Sequence, residues 1–226
     1  MRSGLTEAHF PFLGRLSAGG RRELVACPAT RVSVGTRLLQ RGDFVDGAYL
    51  VVAGSLRVYY IDAEGREATL YHVELGGTCI LALTSSFNGE PYPAWVDAGR
   101  EGAAYVRLPH DLLRRALDAE SAFRDFIFSA LAGRVFNLMR SLEETGTLLM
   151  EQRVARYLAR AVHIDDAVRV TQVGIASELG TAREVVFRSL RSLSTRGLIR
   201  TGRARIEIID RAALAAFVRE SSARPE

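Results

Sequence analysis

The chain contains no lysine; all 30 of its basic residues are arginine. Cysteine is nearly as scarce. Cys27 and Cys79 are the only two among 226 residues, too few for a disulfide framework or a four-thiolate cluster within one subunit. No run approaches the roughly 18 consecutive apolar residues of a membrane span. The N-terminal MRSGLTEAHFPFLGRL has no apolar export segment, so a cytoplasmic protein without membrane attachment is expected. Also missing are a nucleophile–base constellation, a glycine-rich phosphate loop and any metal-ligand spacing. No catalytic residue and no metal site is therefore expected, and the chain does not read as an enzyme.

What is present is an ordinary globular composition, 48% hydrophobic and 25% charged, long enough for one large core or two small ones. Charge is unevenly spread. From Met150 onward 14 arginines face 9 acidic residues, whereas before it 16 face 17. A basic C-terminal third suits a phosphate-binding module joined to a near-neutral domain.

From Ala29 to Leu108 the pattern is one of short strands punctuated by glycine turns. ATRVSV, TRLLQ, AYLVVA, SLRVYYI, EATLYHV, TCILAL, AWVDA and AAYVRL are the eight candidates, at a spacing that predicts a double-sheet jelly roll or small barrel. A long helix is expected from Ser121 to about Thr145. Leu131, Val135, Leu138 and Leu142 alternate steps of four and three, a coiled-coil seam that predicts a homodimer interface, with Thr145 and Leu149 continuing it. A second apolar row, Phe123, Phe126, Ile127, Phe136 and Met139, is expected to face the barrel. Gly146 is the expected hinge. The class is thus α+β, with a β-roll domain at 1–120, a dimerisation helix and hinge at 121–149, and a third region at 150–226.

That third region holds TQVGIASELGTAREVVFRSLRSLSTR. Ile175, Ala176 and Leu179 stripe a first short helix, and Gly180 supplies a left-handed turn. Val186, Leu190 and Leu193 stripe a second, whose opposite face carries Arg183, Glu184, Phe187, Arg188 and Arg191. The pattern fits a helix-turn-helix that lays its second helix in a DNA major groove; the alternative is an αα-hairpin with a solvated arginine face. LIRTGRARIEII reads as two strands of a small wing around a Thr201-Gly202-Arg203 turn, from which Arg200, Arg203 and Arg205 would reach phosphates.

On these residues the chain resembles the cyclic-AMP receptor/fumarate-nitrate regulator (Crp/Fnr) family of bacterial transcription factors. GDFVDGAYLVVAGSLRVYYIDAEGREATL is similar to that family's β-roll signature, and REVVFR to its Arg-Glu-x-x-x-Arg recognition helix. The resemblance implies a winged helix-turn-helix regulator acting as a homodimer on a palindromic operator in double-stranded DNA, with RNA polymerase as a further partner. It implies that Arg183 and Arg188 read guanines and Glu184 a cytosine, with Thr171 and Arg191 joining the wing arginines on the backbone. Thr181-Ala-Arg-Glu184 is also a capping box, a rival role for Glu184.

The sensor half departs from the resemblance. Cyclic-AMP-binding members carry Gly-Glu for the ribose and Arg-Ser for the phosphate; here Leu81-Ala82 and Tyr92-Pro93 stand in their places. Leu138 and Met139 replace the hydroxyl residues that touch the base. A phosphodiester enclosed without a cation is an unpaired buried charge, so cyclic AMP is not expected to bind. Three readings compete. The interior is filled by its own side chains, giving an effector-independent regulator, or it takes an unknown apolar ligand to which the regulator responds; no cofactor is expected in either case. A haem sits there, with His72 and Cys79 as candidate ligands, giving a gas or redox sensor. Cys79 or Cys27 is a redox-responsive thiol. A regulatory module that does not bind DNA is the alternative of another class.

Overall fold

The computed structural model describes residues 4–147, 150–162 and 167–220; the side chains of 140–147, 219 and 220 lie outside that description. Two compact units are present, one of Met1–Tyr60 and Leu70–Asn137, the other of Ile61–Thr69 and Leu138–Glu226. The division thus falls inside the long helix rather than at its ends.

A short 3-10 turn (Pro11–Arg15) and α1 (Ala18–Ala26) lead into β1 (Ala29–Val32), β2 (Arg37–Leu39), β3 (Ala48–Ile61) and β4 (Glu67–Val73). Then come α2 (Ile80–Asn88), β5 (Trp95–Leu108), α3 (His110–Ala119) and α4 (Ser121–Thr147). The sheet runs β1-β5-β3-β4, with β2 also on β5. Five strands therefore replace the eight expected. AYLVVA and SLRVYYI are one strand, as are AWVDA and AAYVRL. The glycines between them make bulges instead of turns. Gly54 (φ +62°) and Gly102 (φ +74°) lie so close that a Cβ on Gly54 would strike the Gly102 carbonyl oxygen.

TCILAL is not a strand either. Its residues from Ile80 onward start α2, with Cys79 at the N-cap. A short apolar run without alternation is ambiguous between strand and buried helix. Here the helix wins because it serves two cores at once: Ile80 and Leu83 enter one, Ala82 the other.

Those two cores lie on opposite faces of the sheet. Ala48, Leu50 and Val52 of β3 join the helices α1, α3 and the start of α4, while Val51 points into the roll. Pairing with β5 shifts between Val51 and Ala53 and again between Gly54 and Leu56, after which the even-numbered Leu56 and Val58 face the roll interior. Glu120, between α3 and α4, binds back to the start of α1. Its carboxylate accepts from the Ser17 backbone N–H (3.0 Å) and from the Ser17 hydroxyl, while Ser17 Oγ caps α1 by accepting from Gly20 N–H. These hydrogen bonds hold the Glu120 carboxyl below the usual range.

The aromatic row on α4 is split. Phe123 and Ile127 are buried, and Phe123 and Phe126 pack edge-on and tilted against Phe12. Phe136 and Met139, expected on the same face, are exposed, Phe136 by 67%. At about 100° per residue, Phe136 and Met139 fall about 220° and about 160° round the helix from Phe123, on its opposite side. Gly146 does not end the helix, which continues to Thr147; Leu149 lies outside the described residues.

The second unit contains α5 (Met150–Ala161), β6 (Ala167–Val168), α6 (Gln172–Leu179), α7 (Arg183–Thr195), β7 (Ile199–Gly202), β8 (Arg205–Ile208) and α8 (Arg211–Glu220). A three-stranded sheet, ordered β6-β8-β7, packs with the helices around Val154, Leu158, Ile175, Val186, Leu190, Leu193, Ile206 and Leu214.

Candidate nucleic-acid interface and sensor interior

The turn between α6 and α7 is assembled from local chemistry. Thr171 Oγ1 caps α6 by accepting from Gly174 N–H at 3.0 Å, so its side chain serves the helix before any phosphate. Gly180 closes the helix in the left-handed region (φ +62°, ψ +47°), and Arg153 donates to the Leu179 carbonyl at 2.8 Å. The N-cap of α7 is Ala182, which has no side-chain acceptor. The capping box anticipated for Thr181 and Glu184 is therefore not formed, because the helix starts one residue later than that box requires.

On α7 the buried stripe is Val186, Leu190 and Leu193, and the residues turned outward include Arg183, Glu184, Phe187, Arg188 and Arg191. Arg183 Nε approaches Gln172 Oε1 at 3.5 Å, which sets it beside the first turn of α6. At the far end Glu151 Oε1 accepts from Ser192 Oγ (2.7 Å) and faces Arg196 Nε (3.3 Å), and the Arg196 guanidinium covers the Phe217 ring. Arg188, Arg191, Ser192, Thr195 and Arg196 line a shallow groove of about 510 Å³.

The wing arginines are not equivalent. Arg200 (3.5 Å) and Arg205 (3.3 Å) share Glu207, whereas Arg203 stands at the tip with no partner among the described interactions. The turn is Arg203-Ala204, not the Thr201-Gly202-Arg203 that glycine suggested. Ala204 adopts φ +54°, the one non-glycine residue described there.

In the roll interior, Tyr92 is completely buried and its hydroxyl lies 3.4 Å from the buried Cys79 Sγ. Tyr71 places its hydroxyl 3.7 Å from the same sulfur and accepts from Leu81 N–H at 3.2 Å. The Arg134 guanidinium of α4 lies 3.7 Å over the Tyr71 ring and donates to the Leu70 carbonyl. Burial, with the neighbouring Cys79 second, pushes both tyrosine pKa values well above the ordinary phenol range. Of the residues expected to line a pocket, Leu81, Ala82 and Tyr92 share this interior; Pro93, Leu138 and Met139 are exposed.

His72 and Cys79 do not converge. His72 points to solvent from β4, while the neighbouring Tyr71 and Val73 point inward towards Cys79. Cys27 has its thiol pushed up by burial, with Arg107 opposing, the reverse of an activated thiolate.

The sequence did not signal one pair. Ser86 Oγ lies 2.9 Å from His110 Nδ1, a serine–histidine contact. It is not a nucleophile–base pair. Arg114 Nε donates to His110 Nε2 at 3.0 Å, so Nδ1 carries the proton and donates to the serine, which also accepts from Gly47 N–H.

Residues 152–217 match the Crp-like helix-turn-helix domain, and residues 29–120 the Cyclic nucleotide-binding domain. The chain belongs to the Crp/Fnr family. Among curated Crp/Fnr relatives, the cAMP-activated global transcriptional regulator Vfr of Pseudomonas aeruginosa is 25% identical over 186 residues, covering 78% of this chain and 86% of Vfr. The cAMP-activated global transcriptional regulator CRP of Haemophilus influenzae is 24% identical over 185 residues, covering 78% and 81%. Two solved structures share the fold. A crp/fnr family transcriptional regulator from Eubacterium rectale superposes with a TM-score of 0.83 at 24% identity, over 94% of this chain and 100% of that one. The c-di-GMP responsive global regulator CLP of Xanthomonas campestris gives 0.75 at 19% identity, over 86% and 100%. As a Crp/Fnr protein, the chain is a DNA-binding transcriptional regulator.

Proposed function

We propose that this chain is a homodimer that binds a palindromic operator through α7, with a roll interior filled by its own side chains so that cyclic AMP is not its effector. The base-reading part rests on one observation: Arg183, Glu184 and Arg188 stand clear of the core on one arc of α7. Arginine there matches guanine O6 and N7, and glutamate accepts from a cytosine amine. Arg191, Thr171, Arg203 and the Glu207-tied Arg200 and Arg205 serve the phosphates.

The dimer rests on α4. Phe128 (63% exposed), Val135 and Leu138 (46%) are exposed on a single helix in steps of seven and three. Phe128 extends the expected seam towards the N-terminus, while Leu131 is half-buried against the first core and contributes only its edge. A contiguous exposed apolar row of this length is a partner surface; a second copy satisfies it by symmetry. The side chain of Leu142 lies outside the described residues. RNA polymerase beside the operator belongs to the same reading.

Vfr and the Haemophilus influenzae CRP are cAMP-activated. Here Tyr92 occupies the interior and is hydrogen-bonded to Cys79, which favours effector-independence over haem, since His72 and Cys79 face opposite sides of β4.

The test is selection from random DNA duplexes with the purified protein. A palindrome with half-site centres about 34 Å apart is expected, bound equally with and without millimolar cyclic AMP. Arg188→Ala should relax the choice of one base at a cost of about 1–3 kcal/mol, whereas Arg203→Ala should weaken all duplexes alike and flatten the salt dependence. Selection of no sequence would end the base-reading assignment, and saturable cyclic AMP binding would end the filled-interior one.

A further inference from the structure

Phe187 is the one large hydrophobic side chain exposed on α7, at 51%, on a helix whose other apolar residues are core or half-buried. Its position is specific. At about 100° per residue it falls about 40° round from Arg183 and about 60° short of Glu184, in the middle of the arc that the base-reading residues span. It also lies one residue, about 1.5 Å of rise, from Arg188. Among the described residues no ring contact holds it; the aromatic pairs there involve Phe10, Phe12, Phe123, Phe126 and other rings, but not Phe187.

A phenyl ring in that place enters the major groove whenever its charged neighbours do. Base edges in that groove offer hydrogen-bond donors and acceptors and a single apolar group, the thymine 5-methyl. Against any other edge the ring would desolvate polar atoms without pairing them. The flanking arginines and glutamate bring the helix to the groove by charge and hydrogen bonding; the ring adds selection by shape and hydrophobicity.

We infer that Phe187 is a specificity residue that packs against the methyl of one thymine in each half-site, next to the bases read by Arg183 and Arg188. The inference rests on the placement of α7 in the major groove proposed above. Phe187 donates no hydrogen bond and carries no charge, so its contribution is confined to one methyl group per half-site.

The discriminating experiment replaces thymine by uracil, which deletes only that methyl, at each thymine of the selected operator in turn. Binding is measured for the full-length protein and for Phe187→Ala. Burying one methyl corresponds to a factor of about four in affinity per half-site and about fifteen for the symmetric pair. The wild type should lose that much at one thymine position and little at the others. Phe187→Ala should bind the thymine and uracil operators alike, and Phe187→Leu, which keeps apolar bulk, should retain part of the discrimination. A wild type indifferent to every thymine-to-uracil change would overturn the inference, as would undiminished discrimination in Phe187→Ala. Either outcome leaves operator binding intact, so it is distinguishable from failure of the DNA-binding reading, in which no operator would be selected.

Discussion

Replacing Tyr92 with alanine removes a completely buried aromatic side chain from the middle of the roll. Its neighbours in that core are β-sheet residues such as Val51, Val58, Val96 and Ala98. These sit on hydrogen-bonded strands and have little freedom to collapse into the space. Large-to-small aromatic substitutions in such places cost about 3–5 kcal/mol, the upper part applying where the site cannot relax. Tyr92→Phe is the internal control. It deletes only the hydroxyl, whose partner is a thiol, a weak hydrogen-bonding group; the expected loss is at the lower end of the roughly 0.5–1.5 kcal/mol of a neutral hydrogen bond. The chain offers a local probe. Trp95, its single tryptophan, opens β5 in the same unit and stacks on Tyr59 with ring centres 6.3 Å apart. Urea unfolding followed by tryptophan fluorescence therefore reports this unit by itself. A Tyr92→Ala transition shifted by less than about 1 kcal/mol would refute the filled-interior argument, because it would mean that the tyrosine fills no packed space and that the roll has room for a ligand.

Alkaline pH should destabilise the same unit. Both interior phenols ionise at higher pH in the folded chain than in the unfolded one, so above about pH 10 the unfolded state releases protons first and stability falls with rising pH; Tyr92→Phe should shallow that slope, and a stability flat from pH 9 to 11 would contradict it. Leu138→Asp should give a monomer at micromolar concentration by sedimentation and lose most operator affinity, since it sets two like charges facing each other in an apolar seam and uncouples the half-sites. A variant that stays dimeric would move the interface elsewhere. Ala204→Gly should raise the melting temperature of the second unit slightly. The left-handed conformation costs an alanine about 1–2 kcal/mol, and the added freedom of glycine in the unfolded chain returns about 0.4–1 kcal/mol of that; a fall in melting temperature would show that the wing turn is not strained.

How much of this was legible beforehand depended on the range of the interaction. The helix-turn-helix was readable almost residue by residue, because its determinants are local. The stripe of Val186, Leu190 and Leu193, the left-handed Gly180 and the outward arginines follow from helical period and turn stereochemistry alone. The excess of arginine over acid in the C-terminal third likewise needs no coordinates.

Tertiary structure decided what depends on partners distant in sequence. Gly54 and Gly102 look like turns in isolation and become bulges only because β3 and β5 run past each other. TCILAL has the composition of a strand and enters α2 because two cores meet around it. Helical period sets Phe136 and Met139 on the opposite side of α4 from Phe123, and packing decides that the Phe123 side is the buried one. The meeting of Tyr92, Tyr71 and Cys79 from three separate segments was invisible for the same reason. In the sequence, Leu81-Ala82 and Tyr92-Pro93 stand where the resemblance has its ribose and phosphate residues. That the Tyr92 phenol is buried beside the Cys79 thiol is a fact of packing, set by non-local contacts that no local pattern encodes.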